Sequence, residues 1–257
     1  MKALILRLDA PLMSFGGVMI DQHGFIERFP GTSLLTGLIG NALGWHHGDF
    51  QQLQSLQGRL QYAARWDVQP ERIVDYHTVD LGQPKMLGYD LPKTEKQQEF
   101  LGGWTTRGKP EHRKGGRDAK RGTHIRYRHH WADGLMTVAL ALAGEGEPDL
   151  ETVRAALARP ARPLFLGRKA CLPARPLLDP EPIREGPDLL AILQSIPRWD
   201  RHGRPLEDGG SMEACWPAEL GLPEGTRGEV RRVYDLRDWP NQLPAGNRER
   251  VEGIIGG

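Results

Sequence analysis

The positive charge of the chain is concentrated in residues 107–131. This segment holds nine lysines or arginines against two carboxylates, Glu111 and Asp118, together with four histidines. Its net charge of +7 leaves −6 for the remaining residues, because the whole chain of 257 residues has a formal net charge of +1. A cationic segment on a neutral-to-acidic body indicates a local site for a polyanion. On composition alone, a solvated charge run is an equal alternative.

Aromatic residues accompany the arginines at the end of this segment. Residues 123–131 alternate as in a half-buried strand, so Arg126 and Arg128 share one face and Tyr127 lies on the other. Cationic side chains bind phosphates, aromatic rings stack on bases, and specific RNA-binding proteins mostly contact unpaired nucleotides. We therefore predict that Arg126, Tyr127, Arg128 and Trp131 contact single-stranded RNA.

A second basic motif lies in LFLGRKACLP, residues 164–173. Gly167 permits a tight turn whose backbone N–H groups can face an anion, and Arg168 and Lys169 can pair with phosphates. An ordinary connection between a helix and a strand would explain the motif equally well. The second concentration of positive charge in the same chain favours phosphate binding.

His77, in DYHTV, is a candidate for proton transfer. On a strand it shares a face with Asp75, which can orient the ring or accept its proton, although a hydrogen-bonded structural histidine is the favoured alternative. The sequence contains no Walker-type phosphate loop, HExxH or GxSxG motif. Its histidines and two cysteines also lack the spacing of metal ligands. The sequence therefore offers no strong catalytic motif, and we predict no bound metal and no cofactor.

The hydrophobic pattern predicts the order strand, helix, strand, strand, insertion, strand, strand, helix. The predicted strands are 2–9, 60–68, 72–79, 123–131 and 135–142, and the predicted helices are 32–44 and 149–159. This order is typical of an α+β, ferredoxin-like βαββαβ domain with an inserted hairpin. Strands 60–68 and 72–79 are predicted to pair as a hairpin, residues 10–30 to form a long connection, and residues 160–187, with seven prolines, to be irregular. A short helix near 188–196 and a strand near 229–236 complete the prediction.

The apolar runs of the sequence are short. The run at the N-terminus is interrupted by Arg7 and is too short for a signal peptide, and the longest apolar stretch, LMTVALALA, is far shorter than a membrane span. We therefore expect a soluble, cytoplasmic protein that makes no contact with a membrane.

Four motifs carry a resemblance to a known family. LILRLDAPLMSFG, RFPGTSLLTGLIGNALG, DYHTV and PLFLGRKACLP occur in this order at suitable spacing. Together they resemble CRISPR-associated protein family five of the RAMP superfamily, in its type I-E Cascade branch. The resemblance covers about residues 2–180. It implies that residues 1–180 form a ferredoxin-like RAMP domain with a β-hairpin thumb inserted at about 80–131, and that residues 181–257 form a partly irregular C-terminal extension.

The resemblance also implies a function. The chain would be a non-catalytic crRNA-binding subunit of the type I-E Cascade surveillance complex, which serves antiviral defence. It would cap the single-stranded 5′ handle of the crRNA, contact the backbone and large subunits, and meet target DNA indirectly through the complex. The residues implied in handle binding are Ser14, Phe15, Gly16, Arg28, Ser33, His77, Gly167, Arg168 and Lys169.

Two alternatives stay open at this point. A related branch of the family cuts repeat RNA itself, so the chain could be a metal-independent endoribonuclease. Such an enzyme needs a base for the 2′-hydroxyl, an acid for the leaving oxygen and a cation at the phosphate, for which Tyr76, His77 and Lys169 are the candidates. The other alternative is a ferredoxin-like RNA-binding protein outside CRISPR systems.

Overall fold

The computed structural model describes residues 1–20, 22–80, 123–206 and 210–256. The chain divides into two compact units. The first comprises Met1–Gly17, Ile26–Ile73 and His130–Gly257, and the second comprises Val18–Phe25 and Val74–His129. None of the helices in the described ranges is long and apolar enough to cross a bilayer.

Strands form most of the regular structure in the described ranges. In chain order they are β1 (Lys2–Asp9), β2 (Leu12–Met13), β3 (Gly16–Ile20), β4 (His23–Ile26), β5 (Leu60–Val68), β6 (Glu71–Asp80), β7 (Thr123–Ala132), β8 (Leu135–Leu142), β9 (Leu178–Glu185), β10 (Arg198–Trp199), β11 (Pro205–Leu206), β12 (Met212–Pro217), β13 (Arg227–Val233), β14 (Arg237–Asp238), β15 (Leu243–Pro244) and β16 (Arg248–Ile255). The helices are α1 (Thr32–Ala42), α2 (Phe50–Arg59), α3 (Leu150–Ala158) and α4 (Leu189–Ser195), and a 3-10 helix spans Ala218–Leu220.

A seven-stranded sheet forms the centre of the first unit. Its order is β13-β16-β12-β5-β8-β1-β9, and neighbouring strands are antiparallel. Strand β1 is buried on both faces, which explains its nearly unbroken apolar run. Leu4, Leu6 and Leu8 pack in one core with side chains of α1, α2 and α3, while Ala3 and Ile5 pack in a second core with α4. The predicted α+β class is therefore confirmed.

A group of buried charges interrupts the second core. Arg7 Nη1 donates to Asp67 Oδ2 (2.6 Å), and Arg65 Nε donates to Asp67 Oδ1 (2.8 Å). Arg7 Nε also donates to Asp179 Oδ2 (2.8 Å), and Thr137 Oγ1 donates to Asp67 Oδ2 (2.7 Å). Burial lowers the pKa of Arg7, and the two carboxylates oppose that shift by stabilising the guanidinium. Arg7 is thus a buried cation whose charge is balanced by the carboxylates of Asp67 and Asp179.

Several elements differ from the sequence-based expectation. The predicted hairpin of 60–68 with 72–79 is wrong, because β5 pairs with β12 and β8 whereas β6 pairs with β7. Residues 10–30, expected as a connection, contain β2, β3 and β4. The stretch 160–187 contains β9, whose two prolines are tolerated because β9 lies at the edge of the sheet.

Residues after 180 contribute to the seven-stranded sheet. Strands β12, β13 and β16 extend it beyond β5, and the predicted helix near 188–196 and strand near 229–236 correspond to α4 and β13. The proposed boundary at residue 180 thus falls inside the first compact unit. As a boundary between independently folding parts it stays a prediction.

The second unit contains the paired strands on either side of the predicted insertion. β6 pairs with β7, and β7 pairs in parallel with β4, with His23 opposite Tyr127 and Gly24 opposite Arg128. Residues 81–122, which include most of the predicted thumb and the basic stretch RGKPEHRKGGRDAKRG, lie outside the described residues.

Candidate nucleic-acid interface

The loop after β1 and the basic motif are in direct contact within the first unit. Ser14 N donates to the carbonyl oxygen of Leu166 (2.9 Å). Gly167 has a φ of +103°, and a Cβ atom at this position would lie 1.8 Å from the carbonyl oxygen of Ser14. A glycine is therefore required both for the backbone conformation and for the close approach. The fold thus brings Ser14 and Gly167, both predicted to contribute to RNA binding, into direct contact.

The basic turn, defined here as Gly167–Lys169, is closed by backbone hydrogen bonds. Cys171 N donates to Arg168 O, and Leu166 N donates to Cys171 O, each at 2.8 Å. The Lys169 side chain is exposed. Gly16, the first residue of β3, is also exposed, whereas Ser14 and Phe15 are buried. The contribution of Ser14 and Phe15 to this surface is therefore to position its backbone.

His130 packs beneath the basic turn. Arg168 Nη1 lies 3.3 Å from His130 Nε2, and Cys171 Sγ lies 3.6 Å from His130 Nδ1. Because guanidinium nitrogens only donate, His130 Nε2 is the acceptor and the ring proton is on Nδ1. Burial raises the pKa of the Cys171 thiol, which keeps it protonated. This contact with His130 orients the guanidinium of Arg168.

Arg28 and Trp131, both predicted to contact RNA, lie together in the first unit. The guanidinium carbon of Arg28 is 5.0 Å from the ring centre of Trp66 and 4.8 Å from that of Trp131. Arg28 also forms an ion pair with Glu213 (2.5 Å) and a hydrogen bond with Gln69. These contacts give Arg28 a structural role, and its contact with RNA stays a prediction.

The N-terminus of α1 is occupied by a residue from the C-terminal part of the chain. The N-cap position of α1 is Gly31, which has no side chain to cap the helix. Thr32 N donates to Asp235 Oδ2 (2.9 Å), and Ser33 N donates to Asp235 O (3.0 Å). Arg248 holds the same carboxylate through Nη2 (2.8 Å). Asp235 therefore caps α1, and the RNA contact of Ser33 stays a prediction.

Asp235→Ala is expected to lower the free energy of unfolding by about 2 kcal/mol, because α1 loses its cap and Arg248 loses its charged partner. Chemical denaturation of the purified chain measures the change. Asp235→Asn, which keeps an oxygen acceptor but removes the charge, should give a smaller loss. Equal unfolding free energies for all three proteins would contradict this role of Asp235.

In the second unit, the residues of DYHTV point in two directions. His77 Nε2 is hydrogen bonded to the Asp75 carboxylate, as their shared strand face predicts. The ring of Tyr76 instead contacts the ring of Tyr127, with a distance of 5.5 Å between ring centres. Arg126 and Arg128 alternate with Tyr127 along β7, so the arginines and the tyrosine lie on opposite faces of the strand.

Five aromatic side chains form a continuous series across β6, β7 and β4, which we call the aromatic ladder. Its members are Tyr76, Tyr127, His23, Phe25 and His129. The ring centres of His23 and Tyr127 are 4.7 Å apart, those of His23 and Phe25 are 5.6 Å apart, and those of Phe25 and His129 are 5.1 Å apart. Sequence reasoning missed His23 and Phe25. The two short apolar runs on either side of residues 21–22 are the hairpin signal that would have found them.

Metal ligands do not cluster in the part of the chain that the structure describes. No group of three or more His, Cys, Asp or Glu side chains there is arranged to hold an ion.

The chain is thus an α+β protein of mostly antiparallel sheets whose surfaces carry a basic turn and an aromatic ladder. The family model described as CRISPR-associated protein (Cas_Cas5) matches residues 3–251, and the chain belongs to this family. This result confirms the family predicted from the four motifs, and the match continues beyond residue 180, where no motif could be quoted.

Individual relatives agree with the family. The Cascade subunit CasD of Escherichia coli (strain K12) is 29% identical over 182 residues, which are 68% of each chain. A solved chain from a CRISPR RNA-guided surveillance complex has a TM-score of 0.63 and 22% identity, covering 99% of this chain and 89% of the other. A crystal structure of a Cas protein has a TM-score of 0.55 and 22% identity, with coverages of 99% and 94%. The two structural matches show a shared fold.

Proposed function

We propose that the chain is a non-catalytic crRNA-binding subunit of a type I-E Cascade complex. In this role it caps the single-stranded 5′ handle of the crRNA, contacts the backbone and large subunits, and meets target DNA through the assembled complex. It needs no metal or cofactor to do so. The family and the CasD relative support a place in a Cascade complex.

The strand order supports the finer description of the fold as a ferredoxin-like RAMP domain. Elements β1, α1, β5, β8, α3 and β9 follow one another as βαββαβ, and their strands have the order β5-β8-β1-β9 within the sheet. Strands β6 and β7, which pair with each other, come between β5 and β8 in the sequence. They are the base of the inserted thumb.

The contact of the basic turn with the loop after β1 is the observation that carries the proposal. Gly16, Arg168 and Lys169 come from distant parts of the sequence, and the packing of Gly167 against Ser14 holds them on one surface. Two adjacent cations on a rigid turn can pair with successive phosphates of a strand. Fixed backbone geometry lowers the entropic cost of ordering that strand on binding.

The residues that a ribonuclease would require support binding without cleavage. Tyr76 and His77 are adjacent on β6, so their side chains leave opposite faces of the strand. Tyr76 contacts Tyr127, whereas His77 is hydrogen bonded to Asp75. An acid and a base on opposite faces cannot act on one phosphodiester.

Incubation with the cognate repeat RNA in EDTA tests this part of the proposal, and intact RNA is the expected result. Cleavage at a single position that is lost in His77→Ala would overturn it in favour of the endoribonuclease. Co-expression with the other Cascade subunits and crRNA tests the partners. Recovery of the chain without RNA, backbone subunit or large subunit would contradict the assignment.

Replacement of Arg168 and Lys169 by glutamine is expected to weaken binding of handle RNA and to reduce its salt dependence. Log K falls with log[salt] by about 0.7 per neutralised phosphate of a single strand, so loss of two contacts should reduce the slope by about 1.4. Filter binding or fluorescence anisotropy over a salt series measures the slope.

The matched control removes the same charge from surfaces outside the basic turn. Lys2→Gln with Arg154→Gln breaks two exposed ion pairs, those with Glu185 and Glu151. The control should leave the slope unchanged. Equal slopes for the wild-type chain and the variant of the basic turn would show that Arg168 and Lys169 do not bind phosphates.

A further inference from the structure

We propose that the aromatic ladder is a stacking platform for unpaired bases. The inference rests on the proposed function, since it requires that the chain binds single-stranded RNA. It assigns base stacking to the aromatic ladder, a surface that the proposed function does not use. The ladder binds base faces, whereas the basic turn binds phosphates.

The ladder has the geometry of a stacking platform. Its rings come from three hydrogen-bonded strands, with Tyr76 on β6, Tyr127 on β7 and His23 on β4. The rings of His23 and Tyr127 are inclined by 10°, and those of His23 and Phe25 by 12°, so the three planes are nearly parallel. A base placed against such rings stacks without a change in their orientation.

Two rings of the ladder are exposed to solvent. Tyr76, at one end, is 54% exposed and Phe25 is 37% exposed, whereas His129, at the other end, is buried. Exposed rings grouped on one sheet mark a binding surface more often than an isolated apolar residue does. Tyr76 and Phe25 are therefore the positions at which bases can add to the existing stack.

The charge of β7 favours RNA as the ligand of the ladder. Arg126 and Arg128 lie on the face of β7 opposite Tyr127, and β7 forms the last part of the basic segment 107–131. A single-stranded nucleic acid offers phosphates to a cationic segment and base faces to aromatic rings, whereas an apolar protein surface offers nothing to the cations. Within the ladder, His129 Nε2 and His23 Nδ1 are hydrogen bonded to each other at 3.5 Å, which fixes the orientation of both rings.

Stacking predicts a salt dependence different from that of phosphate contacts. A ring that covers a base neutralises no phosphate, so its removal lowers affinity without changing the slope of log K against log[salt]. Loss of one stacked base should lower affinity about 5-fold to 150-fold. Stacking uses the flat aromatic face that all bases share, so it tolerates different base sequences.

The test compares Phe25→Leu and Tyr76→Leu with the wild-type full chain. The probes are a short oligoadenylate and an abasic strand that has the same number of phosphates. Each variant should bind oligoadenylate about 5-fold to 150-fold more weakly, with the salt slope unchanged, and should bind the abasic strand as the wild-type chain does.

Phe25→Trp, which keeps a ring, should retain affinity. Met19→Ala, which removes an exposed apolar side chain from β3 without removing a ring, should also retain it.

Photocrosslinking of the wild-type chain to RNA that contains 5-iodouridine gives a second measurement independent of variant folding. Crosslinks at Tyr76 or Phe25 are expected. Unchanged oligoadenylate binding in both leucine variants would overturn the proposal that the ladder stacks on bases. Crosslinks confined to other peptides would do the same, and neither result would affect the proposed function. A wild-type chain that binds no single-stranded RNA would instead overturn the proposed function on which the ladder rests. Capture of a protein subunit on the ladder, with RNA affinity unchanged in the variants, would also overturn it.

Discussion

Gly167→Ala should lower the free energy of unfolding by about 2–5 kcal/mol and weaken the binding of handle RNA. The added Cβ would lie 1.8 Å from the carbonyl oxygen of Ser14, and the φ of +103° is strained for any side chain. The clash is with backbone rather than with a flexible side chain, so either the loop after β1 or the basic turn must move. Overpacking costs about 1–3 kcal/mol and a positive φ about 1–2 kcal/mol. Chemical denaturation measures the stability, and anisotropy with handle RNA measures the affinity.

A matched glycine separates the two causes. Gly144 also has a positive φ, +67°, but a Cβ atom there would meet nothing within 4 Å. Gly144→Ala should therefore lose about 1 kcal/mol from backbone strain and should keep full affinity for RNA. If Gly167→Ala behaved as Gly144→Ala does, the contact with Ser14 would not be the feature that forms the surface. The stability result stands whether or not the chain binds RNA.

Asp67→Asn should lower the free energy of unfolding by about 3–5 kcal/mol. Asp67 is fully buried and accepts hydrogen bonds from Arg7, Arg65 and Thr137. The substitution keeps the shape of the side chain but removes its charge. Arg7 is then left with Asp179 as its carboxylate partner, and Arg65 with the carbonyl oxygens of Leu193 and Ile196. Keeping an unpaired charge in a buried site has a high free-energy cost, so this isosteric substitution should have a large effect on stability. Denaturation of the purified chain at fixed pH measures it.

An exposed ion pair provides the control. Lys2 and Glu185 join β1 and β9 at 3.1 Å, with 67% and 69% of their side chains exposed. Glu185→Gln should change stability by about 0–1 kcal/mol, because solvent screens the pair. A loss in Asp67→Asn no larger than that in Glu185→Gln would show that the buried network is not an important source of stability.

Local patterns predicted the elements whose residues contact the core directly. The apolar runs of β1 and β8, the alternation of β5, and the Asp149 cap of α3 all have a signal within a few residues. Strand β9 was missed because LDPEPIRE has neither alternation nor an apolar run, and its place is decided by pairing with β1. The pairing of β6 was predicted wrongly because a short turn after β5 suggests a hairpin. In the structure both edges of β5 are occupied by other strands, β12 and β8.

The candidate site was predictable in its parts but not in its assembly. The sequence indicates that Gly167 forms a turn and that Arg168 and Lys169 are basic, but their contact with Ser14 depends on the packing of the whole sheet. Asp235 had no local signal at all, since its partners at the start of α1 are far away in the sequence. Contacts of this kind follow from tertiary structure, and a single sequence does not encode them locally.

The Asp235 cap has a consequence for the order in which the protein forms during synthesis. Helix α1 is synthesised about 200 residues before the carboxylate that caps it and before Arg248, which holds that carboxylate. Strand β5 is likewise synthesised long before β12, one of its two neighbours in the sheet. The nascent chain therefore completes its central sheet only after β12, β13 and β16 have been synthesised, and its earlier segments depend on protection from aggregation until then.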